Sequence, residues 1–201
     1  MVDFLKDILI TLQIYLKIVN VFHFFMRIIS GKYKGRRLQV PSNMTARPTT
    51  DFAKEGLFDF LNNIVDFEQV TVLDLFAGTG SISYEFISRS SPKVVAVENN
   101  KIHVNFILQT IKKLDISNLT LLRTDVFHFL KNYNSSFDLI FADPPYDLID
   151  LAQIADKVLD ANILNTDGLF VLEHSARYDF SKHQSFKNHR KYGNVNFSVF
   201  E

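Results

Sequence analysis

The sequence predicts one α/β domain, a mostly parallel β-sheet with helices on both faces. Three observations lead to it. Short, largely apolar runs recur at 70–76, 93–98, 119–123, 137–142 and 169–173, the pattern of strands buried on both faces. Segments with apolar residues at helical spacing separate them. The first run empties into a glycine-containing loop, Ala77-Gly78-Thr79-Gly80, and a helical pattern follows directly. A length of 201 residues accommodates one such domain with a full core and little else.

The chain opens differently. Residues 1–25 are apolar yet carry Asp3, Lys6, Asp7 and Lys17, and the central lysine argues against a membrane span. A secretory signal does not fit either, because a basic start and a small-residue cleavage site are lacking. The segment is an amphipathic helix, with Leu5, Leu9, Leu12, Leu16 and Val19 at helical spacing, or it precedes the natural start at Met26. Arg27–Ser30 and Arg37–Pro41 flank Gly31 and Gly35 and predict a small β-hairpin. Pro48 then breaks regular structure. Thr50 or Asp51 can cap a helix with Ala53, Leu57, Phe60, Leu61 and Ile64 on one face.

Val70–Phe76 is the first strand of the main sheet, and Ser81–Ser90 is its helix. Lys93–Glu98 is the second strand. The helix Lys101–Leu114 follows, with Val104, Ile107, Leu108, Ile111 and Leu114 on its apolar face. Leu119–Arg123 and Phe137–Ala142 are the third and fourth strands, separated by a short helix over Val126–Tyr133. Leu151, Ile154, Ala155 and Val158 mark a further helix before the strand Leu169–Glu173. Ser185–Lys191 and Val195–Phe200, joined by a Lys-Tyr-Gly-Asn turn, form a hairpin, which puts one antiparallel strand at the sheet edge. The chain thus divides into an apolar extension (1–25), a basic hairpin extension (26–50) and the sheet domain (51–201).

An apolar fraction of 47% with zero formal net charge excludes a disordered chain. The absence of cysteine rules out disulfides, thiolate metal sites and cysteine nucleophiles. It fits a reducing compartment, and the cytoplasm is the expected location. The six histidines show no zinc-ligand spacing, so no metal is expected. The charge is unevenly spread. Lys32, Lys34, Arg36, Arg37 and Arg47 lie in an acid-free stretch at 26–50, and 177–191 carries five bases against one acid, whereas 51–176 holds 9 bases and 18 acids. Basic ends on an acidic core suggest a polyanion-binding face. Tyr33 and Lys34 beside Arg36 and Arg37 suit base stacking and phosphate contact. Solvated loops are the alternative.

Four motifs carry chemistry. Val72–Ser81 reads VLDLFAGTGS. Its glycines let backbone approach a ligand, and the helix start favours a carboxylate. Ser83 stands where a dinucleotide fingerprint has its third glycine, and no P-loop ending follows. Asp74, two residues before Phe76, would repel a pyrophosphate but suits the α-ammonium of a methionine moiety. A plain strand-to-helix turn is the alternative. Glu98, ending the second strand, can accept hydrogen bonds from both hydroxyls of a ribose. Asp125, with Val126 beside it, ends the third strand and is placed for an adenine amino group. It equally suits the N-cap of the next helix, and the two roles are compatible. The Glu98 signal does not separate a nicotinamide dinucleotide from S-adenosylmethionine, and Asp74 favours the latter; the candidate cofactor-binding residues are Asp74, Phe76, Gly78, Gly80, Glu98, Asp125 and Val126.

The fourth motif, Asp143-Pro144-Pro145-Tyr146, ends the fourth strand at the sheet's C-terminal edge, where ligands bind in such folds. An exocyclic amine of a nucleobase is a poor nucleophile because its lone pair is delocalised into the ring. The Asp143 carboxylate and the Pro144 carbonyl can hold its hydrogens and bias the nitrogen towards attack. Tyr146 offers a face on which an extruded base can stack. A sulfonium is already a good leaving group, so positioning supplies much of the catalysis.

The segments MRIISGKYKGRRL at 26–38, RPTTDFAKEGLFDFL at 47–61, VLDLFAGTGSIS at 72–83, VAVE at 95–98, DLIFADPPY at 138–146 and KYGNVNFSVFE at 191–201 resemble the bacterial 16S ribosomal RNA guanine-N2 methyltransferase family called RsmD. The resemblance runs from Met26 to Glu201. It implies a Rossmann-like methyltransferase whose seven-stranded sheet has a reversed last strand. It implies cofactor contacts from Asp74, Gly78, Gly80, Glu98 and Asp125 and target contacts from Asp143, Pro144 and Tyr146, with Arg47 and Thr49 near the active site. Family members begin at the equivalent of Met26, which implies that residues 1–25 stand outside the native protein. The implied substrate is a guanine of 16S ribosomal RNA in a partly assembled small-subunit particle, and the expected enzyme is a monomer with no membrane partner. Guanine also suits Asp143 physically. Its N1–H and amino group are adjacent donors, whereas adenine presents an acceptor at N1.

Rival readings remain. A DNA or RNA adenine-N6 methyltransferase is one, since Asp-Pro-Pro-Tyr also occurs in enzymes that look like adenine methylases. The chain has no insertion large enough for a separate sequence-reading domain. A nucleotide-dependent dehydrogenase leaves that tetrapeptide unexplained. A non-catalytic RNA-binding assembly factor would need neither it nor the glycine loop.

Overall fold

The structure, a computed structural model, describes residues 24–44, 49–145 and 151–201. Arg47, Tyr146 and the helix reading of the first residues lie outside this set. β1 (Phe24–Arg27) and β2 (Arg37–Val40) form a separate two-stranded antiparallel hairpin. α1 (Asp51–Leu61) follows. Then β3 (Thr71–Leu75), α2 (Ser81–Ser88), β4 (Lys93–Val97), α3 (Lys101–Leu114), β5 (Leu119–Leu122), α4 (Val126–Asn132) and β6 (Phe137–Ala142) alternate. A 3-10 turn leads into α5 (Ile154–Leu159), and β7 (Leu164–His174), β8 (Phe186–Tyr192) and β9 (Val195–Phe200) close the chain. The main sheet has seven strands in the order β5-β4-β3-β6-β7-β9-β8. Among the described residues, no helix is long and apolar enough to cross a membrane.

Strand parity builds two cores. Val72, Leu139, Phe141, Val171 and Phe197 face α1, α2, α3 and the hairpin. Leu73, Leu75, Ile140, Ala142 and Leu172 face α4 and α5. Each fully buried Leu or Phe contributes roughly 1.5–3 kcal/mol. Leu108 is 51% exposed, so the buried face of α3 runs instead through Val104, Phe106 and Ile107. Ile64 lies beyond the end of α1 and is exposed. Thr50, not Asp51, caps α1, its hydroxyl accepting from the Ala53 N–H at 3.2 Å.

The reversed strand is the last, β9, paired antiparallel to both β7 and β8. It sits one place in from the edge expected of it. The apolar β9 is buried along its length, while β8, with Lys187, Arg190 and Lys191, alternates half-buried and exposed positions. A charged, half-wet strand is the one suited to the edge.

The hairpin begins earlier than expected. Phe24 pairs with Val40 and Phe25 with Gln39, so β1 reaches upstream of Met26. Its turn docks on the end of α2. The Lys32 N–H donates to the Ser88 carbonyl at 2.7 Å and the Tyr33 N–H to the Ser88 hydroxyl at 2.9 Å. Gly31, at φ +79°, is required there, since a Cβ would stand 1.7 Å from the Ser88 carbonyl oxygen. This docking buries Tyr33, which corrects its expected role: its ring is not presented for base stacking. Lys32, Lys34, Arg36 and Arg37 are exposed.

Lys54 ties the hairpin to the domain. It is fully buried and donates to the Arg27 carbonyl at 2.6 Å and the Ser81 hydroxyl at 3.2 Å. It also pairs with Glu85 at 3.2 Å. Glu85 accepts in turn from the Ile29 N–H at 2.8 Å and pairs with Arg89. Removing one partner of such a pair costs about 3–5 kcal/mol, because the other charge stays buried.

Candidate active site

The chain runs from β3 outward to β4 and β5 on one side, then returns to β6 and β7 on the other. That reversal opens a crevice between the C-terminal ends of β3 and β6, where Leu75 stands opposite Ala142. The glycine loop lines one wall. Phe76, Gly78 and Gly80 all have positive φ, at 63°, 55° and 76°. Phe76 bears a steric cost that glycine would not, a strain that clusters at functional sites. At Gly80 a Cβ would lie 2.8 Å from the Tyr84 ring.

Hydrogen bonds fix this loop to β4. The Ala77 N–H donates to the Val97 carbonyl at 2.9 Å and the Gly78 N–H to Glu98 Oε2 at 2.8 Å. Glu98 Oε1 accepts from the Asn100 N–H at 2.7 Å, and His103 Nδ1 lies 3.5 Å from Oε2. Burial works to raise the Glu98 carboxyl. The nearby His103 imidazole and hydrogen bonds from the Asn100 and Gly78 amides outweigh it, and Glu98 sits below its ordinary value.

Asp74 is buried under the loop. Its Oδ2 accepts from the Ser83 hydroxyl at 2.5 Å and the Ser83 N–H at 3.1 Å. Ser83, noted in the sequence only as a missing glycine, therefore holds Asp74. Burial pushes the Asp74 carboxyl up to about 7 despite these bonds. Asp125 lies past the end of β5, exposed, with Oδ1 capping α4 through the His128 N–H at 3.0 Å. The capping role is thus observed. Val126 beside it is buried.

Asp143 and Pro144 occupy the opposite wall, directly after β6. Burial raises Asp143 well above the ordinary carboxylate value, and the negative charges of Glu173 and Asp74 add to it. Glu173, near the end of β7, is buried and raised by burial to about 7, although the Thr49 hydroxyl donates to its Oε2 at 3.0 Å. Thr49 is thereby brought to the end of β7. The structure thus brings together Asp74, Phe76, Gly78, Gly80, Glu98, Asp143, Pro144 and Thr49, with Asp125 and Val126 flanking. The hairpin cations stand apart on an exposed surface.

Sequence reasoning missed Glu173. It ends an apolar run just as Glu98 does, so the same strand-end signal was available.

The sequence pattern of the family described as conserved hypothetical protein 95 matches residues 26–201. Ribosomal RNA small subunit methyltransferase D of Buchnera aphidicola subsp. Baizongia pistaciae is 32% identical over 148 residues, 74% of this chain and 75% of that one. The protein of the same name from Haemophilus influenzae is 32% identical over 152 residues, 74% of this chain and 78% of that one. A solved hypothetical protein from Thermus thermophilus matches with a TM-score of 0.76 at 27% identity, covering 87% of this chain and 98% of that one. With the glycine loop, the strand-end acids and Asp143-Pro144 all inside the matched span, the chain belongs to this conserved hypothetical protein 95 family, that of RsmD, and is a Rossmann-like methyltransferase.

Proposed function

We propose that this enzyme transfers a methyl group from S-adenosylmethionine to the exocyclic N2 amine of a guanine in 16S ribosomal RNA. The carrying observation is the Asp143-Pro144 pair at the switch point, across the crevice from the glycine loop. A carboxylate and a carbonyl there can accept both hydrogens of a planar amine. The names of the Buchnera and Haemophilus relatives support a small-subunit ribosomal RNA substrate.

The residues present fit the cofactor. Glu98, charged and held by backbone amides, suits two ribose hydroxyls. The loop at 77–80 suits a carboxylate at the start of α2, and Asp125 with Val126 suits an adenine. When bound, S-adenosylmethionine supplies an activated methyl whose sulfur leaves with the bonding electron pair. The nitrogen that gains the carbon must give up one proton, and the Asp143 carboxylate would accept it. The crevice walls keep the reacting groups in line. Tyr146 and Arg47 complete the reading on the target side, and Lys32, Lys34, Arg36 and Arg37 on the hairpin hold RNA phosphates. We assign the hairpin as an RNA-binding extension of the domain at 51–201. Residues 1–25 are assigned as an apolar extension, of which Phe24 and Phe25 pair within the hairpin. The enzyme acts as a cytoplasmic monomer on a partly assembled small-subunit particle.

The test is transfer of label from S-adenosylmethionine to total RNA, isolated small-subunit particles and DNA, followed by nucleoside analysis. N2-methylguanosine in 16S RNA is expected. Label in adenine, in DNA or in neither polymer would overturn the assignment.

A further inference from the structure

Glu173 has no part in the reaction as written above, yet it is buried beside the residue that does. β6 and β7 run parallel with Ala142 opposite Leu172, and Asp143 and Glu173 are the next residues along each chain, Asp143 just past the end of β6. Neighbouring strands lie about 4.8 Å apart. Phe141 and Val171, two residues earlier on each strand, belong to the same core. Alternation therefore sends the Asp143 and Glu173 side chains to that same face. Asp74, one strand further on, shares it.

No cation offsets this pair among the described residues. From α1, Lys54 is committed to Glu85 and Asp51. From β9, Phe197 stands opposite Glu173. His174 follows in the chain, but its imidazole bonds the Ser175 carbonyl and Ser198 Oγ. Among the described residues, the groups set against Glu173 are the Thr49 hydroxyl and Asp143, on which Asp74 also acts.

We propose that Glu173 is a positioning residue that takes up the single proton shared with Asp143, so that Asp143 meets the target amine as a carboxylate. This rests on the reading of Asp143 as the acceptor for the amine. Two buried carboxyls side by side cannot both ionise readily, so the pair holds one proton around neutrality. The negative charges of Glu173 and Asp74 both oppose ionisation of Asp143. When the amine offers its hydrogens to Asp143, charge settles there and the proton moves to Glu173. Thr49 suits either state, since its hydroxyl can donate to a carboxylate or accept from a carboxylic acid. On transfer, the nitrogen–carbon bond forms as the carbon–sulfur bond breaks with its electrons on sulfur. The amine proton then passes to Asp143. The pair is left doubly protonated and returns one proton to solvent.

The experiment is the pH profile of single-turnover methyl transfer to small-subunit particles for wild type, Glu173→Gln and Asp143→Asn. Glutamine keeps the shape but can never be charged. Its acid limb should lie about 0.3 pH unit or more above that of the wild type, because Asp143 must then give its proton to solvent instead of passing it to Glu173. A merely structural role would lower the rate without moving the limb. Superimposable limbs, with Asp143→Asn inactive, would overturn the shared proton and leave the amine reading standing. Wild-type transfer by Asp143→Asn would overturn the amine reading and the pair with it. Should Glu173→Gln fail to fold, infrared spectroscopy of the wild type decides. A buried protonated carboxyl at pH 8 is expected, and its absence sinks the proposal.

Discussion

The two walls of the crevice hold their acids in opposite ways. On the β3–β4 side, Glu98 is wrapped by the Gly78 and Asn100 amides and the His103 imidazole, and it stays charged. On the β6–β7 side, Asp143 and Glu173 follow the ends of a paired stretch of strand, the Thr49 hydroxyl donates to Glu173, and both carboxyls are pushed towards the neutral form. On the proposed function, the difference separates binding from chemistry. A carboxylate whose charge is fixed by amides is a durable acceptor for hydroxyls that never ionise. Carboxyls that crowd one another are poised to exchange protons, which a methylated amine requires.

The largest effect that could break this comparison is at Asp143. We expect Asp143→Asn and Asp143→Ala to lower single-turnover transfer by roughly 10²–10³ while changing S-adenosylmethionine affinity only a few-fold. Calorimetry with the cofactor and labelled transfer to RNA separate the two. A loss confined to cofactor affinity would put Asp143 on the wrong wall. Glu98→Gln should behave in reverse, weakening cofactor binding about 10- to 100-fold with a smaller change in the transfer step. Equal damage to both steps would erase the distinction between the walls.

Stability offers a third, smaller test. Asp74 and Glu173 sit near 7 in the folded chain, against ordinary values of 3.8 and 4.5. Between about pH 4 and 7 the unfolded chain releases these protons and the folded chain retains them, so folding loses stability as pH rises through that window. The contribution is fully present below the lower limit and gone above the upper one. Glu98, lowered in the fold, has the opposite sign. Glu173→Gln should therefore raise the melting temperature by several degrees at pH 8 and by little at pH 4. A variant less stable than wild type at pH 8 would mean that the Thr49 hydrogen bond outweighs the crowding.

Most of the alternating strands and helices could be read from the sequence, because each buried strand carries its own apolar run and each helix its own stripe. The glycine loop and Asp143 were legible for the same reason: both lie where one element ends and another begins. What was not legible depended on tertiary packing. Tyr33 reads as an aromatic among cations, and only the docking of the hairpin on Ser88 buries it. Lys54 reads as an ordinary helix surface residue, yet Arg27, Ser81 and Glu85 converge on it from distant segments. The place of β9 inside the edge depends on which of two hairpin strands meets β7, and local pattern does not specify that.

The smallest expected effect concerns the exposed hairpin, which should touch RNA without touching the chemistry. Arg36 and Arg37 are exposed and make no ion pair among the described residues, whereas Arg27 pairs with Asp51 and Glu55, each at 3.1 Å. A free arginine releases condensed counterions when it meets a phosphate. An arginine already neutralised by two carboxylates has less to release. Each of Arg36→Ala and Arg37→Ala should flatten the log–log salt dependence of RNA binding by roughly 0.7–0.9. Cofactor affinity and the transfer rate at saturating RNA should be unchanged. Arg27→Ala should leave the slope near that of the wild type, although it loosens the hairpin. If Arg27 changes the slope as much as Arg36 and Arg37 do, its ion pairs open on RNA binding and the basic face extends to the start of α1. If none of the three changes it, the hairpin does not carry the RNA, and the basic stretch at 177–191 becomes the surface to test.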